Sequence, residues 1–123
     1  MANHSARVAM LLFMACATVA AQPSQLTFHD ARALYYAAEY EKALEVLDRL
    51  EVTGGGSDGA TLALYRGASL FALGRPTEAE RAFERVVAIA PDLRPEQLDL
   101  APWLVTKFAA VRTRVRSLAP QRQ

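Results

Sequence analysis

The chain has 123 residues, enough for one small domain and too few for two comfortable ones. Its 14 Lys plus Arg against 13 Asp plus Glu give a formal net charge of +1. That balance excludes both the strongly basic field that draws a protein onto nucleic acid and a strongly acidic surface.

The opening segment, MANHSARVAMLLFMACATVAAQ, has Arg7 in a polar lead, an apolar run from Val8 to Ala17, and the small residues Val19 and Ala21 before Gln22. This is the pattern of an export signal cleaved after residue 21. Val8 to Ala21 falls short of the roughly 20 residues a membrane-spanning helix needs. Cys16, the only cysteine, lies inside the signal. Cleavage therefore leaves no thiol for a disulfide, a metal or nucleophilic catalysis, which suits an oxidising compartment such as the periplasm. A competing reading makes Cys16 the lipidated first residue of an envelope lipoprotein, with Ala15 as the small residue before it. Phe13 and Met14 depart from that pattern.

From Leu26 onward the apolar positions recur every three to four residues, the spacing of one helical stripe, and no alternating strand pattern appears. Thr27 with Asp30 forms a capping arrangement ahead of FHDARALYYAA, which predicts a first helix. A second is predicted over about Tyr40 to Glu51, with Ala43, Leu44, Leu47 and Leu50 on one face. The run TGGGSDG, residues 53–59, stops it because successive glycines cost more backbone entropy than a helix recovers. With no preceding strand and no Lys-Ser or Lys-Thr, that run is a loop and not a phosphate cradle. Ser57 or Asp58 can cap a third helix, about Gly59 to Ala72, which Gly74 closes in a left-handed conformation. Pro76 suits the first turn of a fourth helix running to about Ala90 before Pro91.

RPEQLDLAP is predicted as an irregular or single-turn connector. Pro102 then opens a last helix to residue 118, with Leu104, Phe108, Val111, Val115 and Leu118 as its burial stripe, before a tail at 119–123. Trp103 and Phe108 are expected to cover the apolar edge of the second hairpin, while Lys107, Arg112, Arg114 and Arg116 face water.

The four central helices form two hairpins, about 26–52 and 60–91, that align with an offset of 36 residues, as between Ala43 and Ala79. Ala38 then falls opposite Gly74, and Leu47 opposite Phe83. A two-helix repeat of this length is the mark of a solenoid, in which each hairpin buries its apolar face on its neighbour. In Gly67, Leu70, Gly74, Ala79, Phe83 and Pro91 the second hairpin resembles the tetratricopeptide repeat family. The first keeps Leu34, Ala38, Tyr40, Ala43 and Leu47; Ala63 and Arg66 stand where the family usually has bulky apolar side chains. The expected architecture is all-α: a signal segment, two tetratricopeptide-like hairpins, and a carboxyl-terminal capping helix, with the repeat domain at 22–118.

In that family the first helix of each hairpin lines a concave groove. Carried over by alignment, the groove residues are Phe28, Arg32, Tyr35 and Tyr36, then Thr61, Leu64, Ala68 and Phe71. The resemblance thus implies an aromatic groove with one cation, suited to a peptide or a partner's helix.

Nothing in the sequence points to catalysis. His29 and Asp30 are neighbours that point apart, so they form no metal-ligand pair. Glu39, Glu41 and Glu45 beside Lys42 and Arg49 make ordinary helix-surface pairs. No serine sits in a nucleophile-elbow context, and no cofactor is expected. The expectation is a non-catalytic interaction module or adaptor exported to the cell envelope. The alternative is a structural component of an envelope or secretion assembly, held by the uncleaved segment or by lipid on Cys16.

Overall fold

The computed structural model describes residues 25–54 and 58–119. Within them the chain forms α1 (Phe28–Tyr36), α2 (Tyr40–Thr53), α3 (Gly59–Ala72), α4 (Pro76–Ile89) and α5 (Pro102–Leu118), with one 3₁₀ turn at Pro95–Gln97. No strand occurs among the described residues. The expected signal at 1–21 with its Cys16, the candidate cap Ser57 and the last residues of the tail lie outside them.

Local chemistry sets the helix ends. Thr27 caps α1 reciprocally: its backbone N–H donates to Asp30 Oδ2 at 2.7 Å, and the Asp30 N–H donates to Thr27 Oγ1 at 3.4 Å. The bonds its carboxylate accepts from the Thr27 N–H and, at 3.0 Å, from the Thr27 hydroxyl hold the Asp30 carboxyl below its ordinary range. Asp58 caps α3 by accepting from the Thr61 N–H at 2.7 Å. Proline occupies the first turn of both α4 and α5.

Both hairpin turns close the same way. After α3, Gly74 N–H donates to the Phe71 carbonyl and Arg75 N–H to that of Leu70; after α1, Ala38 N–H donates to Tyr35 and Glu39 N–H to Leu34. This paired bonding needs a left-handed residue at the turn. Gly74 supplies φ 72° and Ala38, its counterpart in the repeat, adopts φ 60°.

Each helix packs on the next, and α1 also touches α3, so the helix pairs stack as a tetratricopeptide-like solenoid. The closest approach is between α3 and α4, where a methyl added at Gly67 would fall 2.5 Å from Phe83 Cε1 and 3.2 Å from the Ala79 carbonyl oxygen. Phe83 fills the space that this glycine leaves and is fully buried. Among the described residues the one buried polar side chain in the core, Ser69, donates to the Tyr65 carbonyl at 2.8 Å, so its burial leaves nothing unsatisfied.

The last helix covers the second hairpin, but not in the sense a third repeat would take. Trp103 and Lys107, early in α5, lie against Phe71 at the carboxyl end of α3. Arg112 and Arg116, later in α5, reach the carbonyls of Leu93 and Pro91, just past the end of α4. Because α3 and α4 are antiparallel, α5 runs opposite to α3 and in the same sense as α4. The first helix of a third repeat would run with α3. The connector from Ala90 to Ala101 makes this reversal by climbing the length of the hairpin before α5 descends.

Three expectations for α5 change accordingly. Its buried residues are Leu104, Phe108 and Val111; Val115 is half-buried and Leu118 is 49 % exposed, lining an open hollow with Glu84 and Ala88 of α4. Trp103 sits edge-on to Phe71 yet stays 50 % exposed. Arg112 does not face water: its guanidinium lies 4.7 Å over the Phe108 ring and donates to the Leu93 carbonyl. Arg114 is exposed and joins α5 to α4 through Glu84 at 2.7 Å and Glu80 at 3.4 Å.

Candidate functional site

The eight residues expected to line a groove divide between the two hairpins. On α3, Leu64 and Ala68 are 0 % exposed and form part of one cluster with Phe83, Leu104 and Phe108. They are corrected here from groove to core: α5 and the connector occupy the face they were expected to open. Thr61 and Phe71, at the two ends of the same stripe, are half-buried. Thr61 lines a hollow with Ala90, Leu93 and Leu98 of the connector, and Phe71 lies between Phe83 and Trp103.

On α1 the four residues stay together at the surface. Phe28 and Tyr35 are half-buried, each edge-on to the Tyr65 ring of α3 at 5.2 and 5.4 Å. Tyr36 is 47 % exposed, and Arg32 lies 5.4 Å over its ring. Tyr36, ahead of Tyr65 and, more weakly, Asp99, favours the charged form of that guanidinium. Tyr40 adds another edge to Tyr35 at 5.7 Å. The result is a cluster of aromatic rings crowned by one cation, the composition that gives contact area at low entropic cost.

Tyr36 also meets the connector. Its hydroxyl donates to the Asp99 carbonyl at 2.7 Å and stands 3.5 Å from the Tyr65 hydroxyl. Burial, and then the contact with Tyr36, push the Tyr65 phenol well above its ordinary range; burial does the same to Tyr35. Leu98 packs on the cluster beneath α5, and Leu100 packs on both that cluster and the one formed by Ala31, Val46, Leu47, Leu50, Leu62 and Tyr65. Residues 98–101 therefore cross from the α5 side to α1, over the face of α3.

Tyr65, Leu98 and Leu100 belong to this site and were not among the expected residues. Leu98 and Leu100 carried a readable signal, since two leucines spaced by one residue in an otherwise polar linker argue for burial on one side. Tyr65 carried little, because as an aromatic residue inside a helical stripe it reads as core, and it is indeed 3 % exposed.

Among the described residues, no group of three or more His, Cys, Asp or Glu is gathered where it could hold a metal. His29 is exposed, and Glu39 is paired with Lys42 at 2.7 Å. No helix among the described residues is long and apolar enough to cross a membrane.

Residues 60–93, spanning α3, α4 and the start of the connector, match the family model described as tetratricopeptide repeat. No curated protein and no solved structure matches the chain.

Proposed function

We propose that this chain is a non-catalytic protein-interaction module exported to the cell envelope, which holds a peptide or a partner's segment at the aromatic face of α1. The observation that carries this reading is the exposed pair Arg32 and Tyr36, backed by the buried ring of Tyr65, on a stack of helix pairs whose second member matches the tetratricopeptide repeat. Aromatic anchors beside an arginine are the usual composition of an energetic centre in an interface. Of the eight residues first expected, Phe28, Arg32, Tyr35 and Tyr36 remain in this proposal; Thr61 lies under the connector, Phe71 packs on the α5 side away from it, and Leu64 and Ala68 are core.

Export rests on residues 1–21 and is tested separately. Mass spectrometry of the mature protein should find Gln22 at the amino terminus, whereas an intact Met1 or a lipidated Cys16 would favour an anchored structural component. The contact face is tested by affinity capture from the native envelope with the wild-type chain and with Arg32→Ala. Loss of specific captured proteins is expected. An identical profile from a folded variant would remove Arg32 and its face from the proposal.

A further inference from the structure

The segment Leu98-Asp99-Leu100 behaves toward the rest of the molecule as a bound peptide does. Leu98 itself is extended, with φ −97° and ψ 136°, and the Leu100 N–H donates back to the Leu98 carbonyl at 2.6 Å, closing a one-residue turn at Asp99. Leu98 and Leu100 bury their side chains partway into the clusters beneath them, and the Asp99 carbonyl between them accepts from the Tyr36 hydroxyl. Among the described residues no backbone-to-backbone hydrogen bond ties residues 98–101 to α1 or α3. The tie is a side-chain donor reading a main-chain carbonyl, which a peptide of any sequence offers. Asp99 itself is exposed, within electrostatic reach of Arg32. The lower connector is held differently: Pro95 is fully buried, and Arg112 grips the Leu93 carbonyl. A segment fastened at Leu93 and Pro95 before it and at Ala101 after it, where the carbonyl accepts from the Leu104 and Val105 N–H groups of α5, and lightly held from Leu98 to Leu100, has the form of a strap that opens locally while the helices stay packed.

We infer that residues 98–101 are an intramolecular occupant of the contact face, and that the partner is a short segment, turned at an acidic residue with an aliphatic residue on each side of it, which exchanges with them. This rests on the interaction-module reading above and adds to it what the face accepts: the aliphatic side chains take the places of Leu98 and Leu100, the intervening carbonyl takes the Tyr36 hydroxyl, and the acidic side chain lies toward Arg32. Because the strap is covalently attached, its effective concentration is on the order of millimolar, and a free peptide competes poorly until the strap is weakened.

The test uses the full chain and a capped synthetic peptide of residues 94–101, RPEQLDLA. The strap is weakened by Leu98→Ala with Leu100→Ala, which leaves Tyr36, Tyr65 and Arg32 untouched. In isothermal titration the weakened variant should bind the peptide at least tenfold more tightly than the wild type does, and a peptide carrying alanine at both leucines should not bind. Equal affinities, or no binding to a variant whose helical circular dichroism is retained, would overturn the inference.

A second measurement does not depend on that variant folding. In a Cys16→Ser background, the thiol of Leu100→Cys should be labelled at a rate independent of low denaturant and at least a hundredfold faster than that of Ala68→Cys. Matching rates would mean the strap opens only when the whole molecule does, and would overturn the exchange. Unchanged capture by Arg32→Ala alongside positive peptide exchange would sink the placement of the natural partner alone; altered capture without exchange would sink the strap alone.

Discussion

Ala38 and Gly74 occupy equivalent turns with nearly the same φ, 60° and 72°, yet only the glycine adopts that value without a steric cost. For an L-residue the left-handed region costs about 1–2 kcal/mol. Ala38→Gly should therefore stabilise the molecule by about 1 kcal/mol, raising the melting temperature by roughly 4–8 °C in a domain of this size. Gly67→Ala goes the other way for a different reason. Its methyl has no room beside Phe83 and the Ala79 carbonyl, and overpacking of this kind costs about 1–3 kcal/mol in denaturant unfolding.

The buried phenols give a third outcome at this scale. Tyr65 keeps its proton in the folded state to a higher pH than in the unfolded chain, where tyrosine titrates near about pH 10. Its stabilising share is therefore fully present below about pH 10 and is lost as pH rises above that value. Unfolding midpoints followed from pH 8 to 11 should fall at the alkaline end, and Tyr65→Phe should flatten the fall. An unchanged alkaline slope in that variant would assign the loss to other groups.

Among the elements, the helices were legible because their signals are local. Thr27 and Asp30, Asp58, Gly74, Pro76 and Pro102 act within a turn of where they stand, and α3 begins and ends where its sequence indicates. The connector was not legible to the same degree. Burial of Leu98 and Leu100 depends on where α5 returns, and that is a matter of distant packing. The direction of α5 was hidden for a related reason: a stripe such as Leu104, Phe108 and Val111 covers an apolar face equally well in either sense. The groove expectation failed at Leu64 and Ala68 on this point, since a family pattern carried over residue by residue does not say what the following segment will cover.

Arg112 is where the connector and α5 meet. Its guanidinium both stacks on Phe108 and holds the Leu93 carbonyl, while its Nε has no hydrogen-bond partner among the described residues. Arg112→Ala removes a stacked cation and a charged donor together and should cost about 1–3 kcal/mol. Arg112→Lys retains the charge but not the planar fork, and should recover only part of that in thermal unfolding.

At the level of the whole molecule, two helix pairs are fewer than a stacked array ordinarily needs, so burial by α5 has an outsized share of the total. Phe108 is 1 % exposed, edge-on to Phe83 at 5.5 Å. Phe108→Ala should cost about 3–5 kcal/mol, a large part of the 5–15 kcal/mol typical of a native domain. A broad, weakly cooperative melt is the expected signature. A sharp transition within a few degrees of the wild type would show that α5 is dispensable to the hairpins.

The reversed α5 also makes the two ends of the stack unequal. Its outward side carries Thr106, Thr113 and Ser117, all exposed, whereas the first pair leaves Leu34 and Tyr40 half-buried at its own edge. An idealised hairpin grafted ahead of α1 would find aliphatic and aromatic side chains to dock on and would lengthen the superhelix. The same graft fused after α5 would meet hydrated hydroxyls and hang as a separate body. Elongation of this architecture is thus vectorial, permitted from one terminus and blocked at the other.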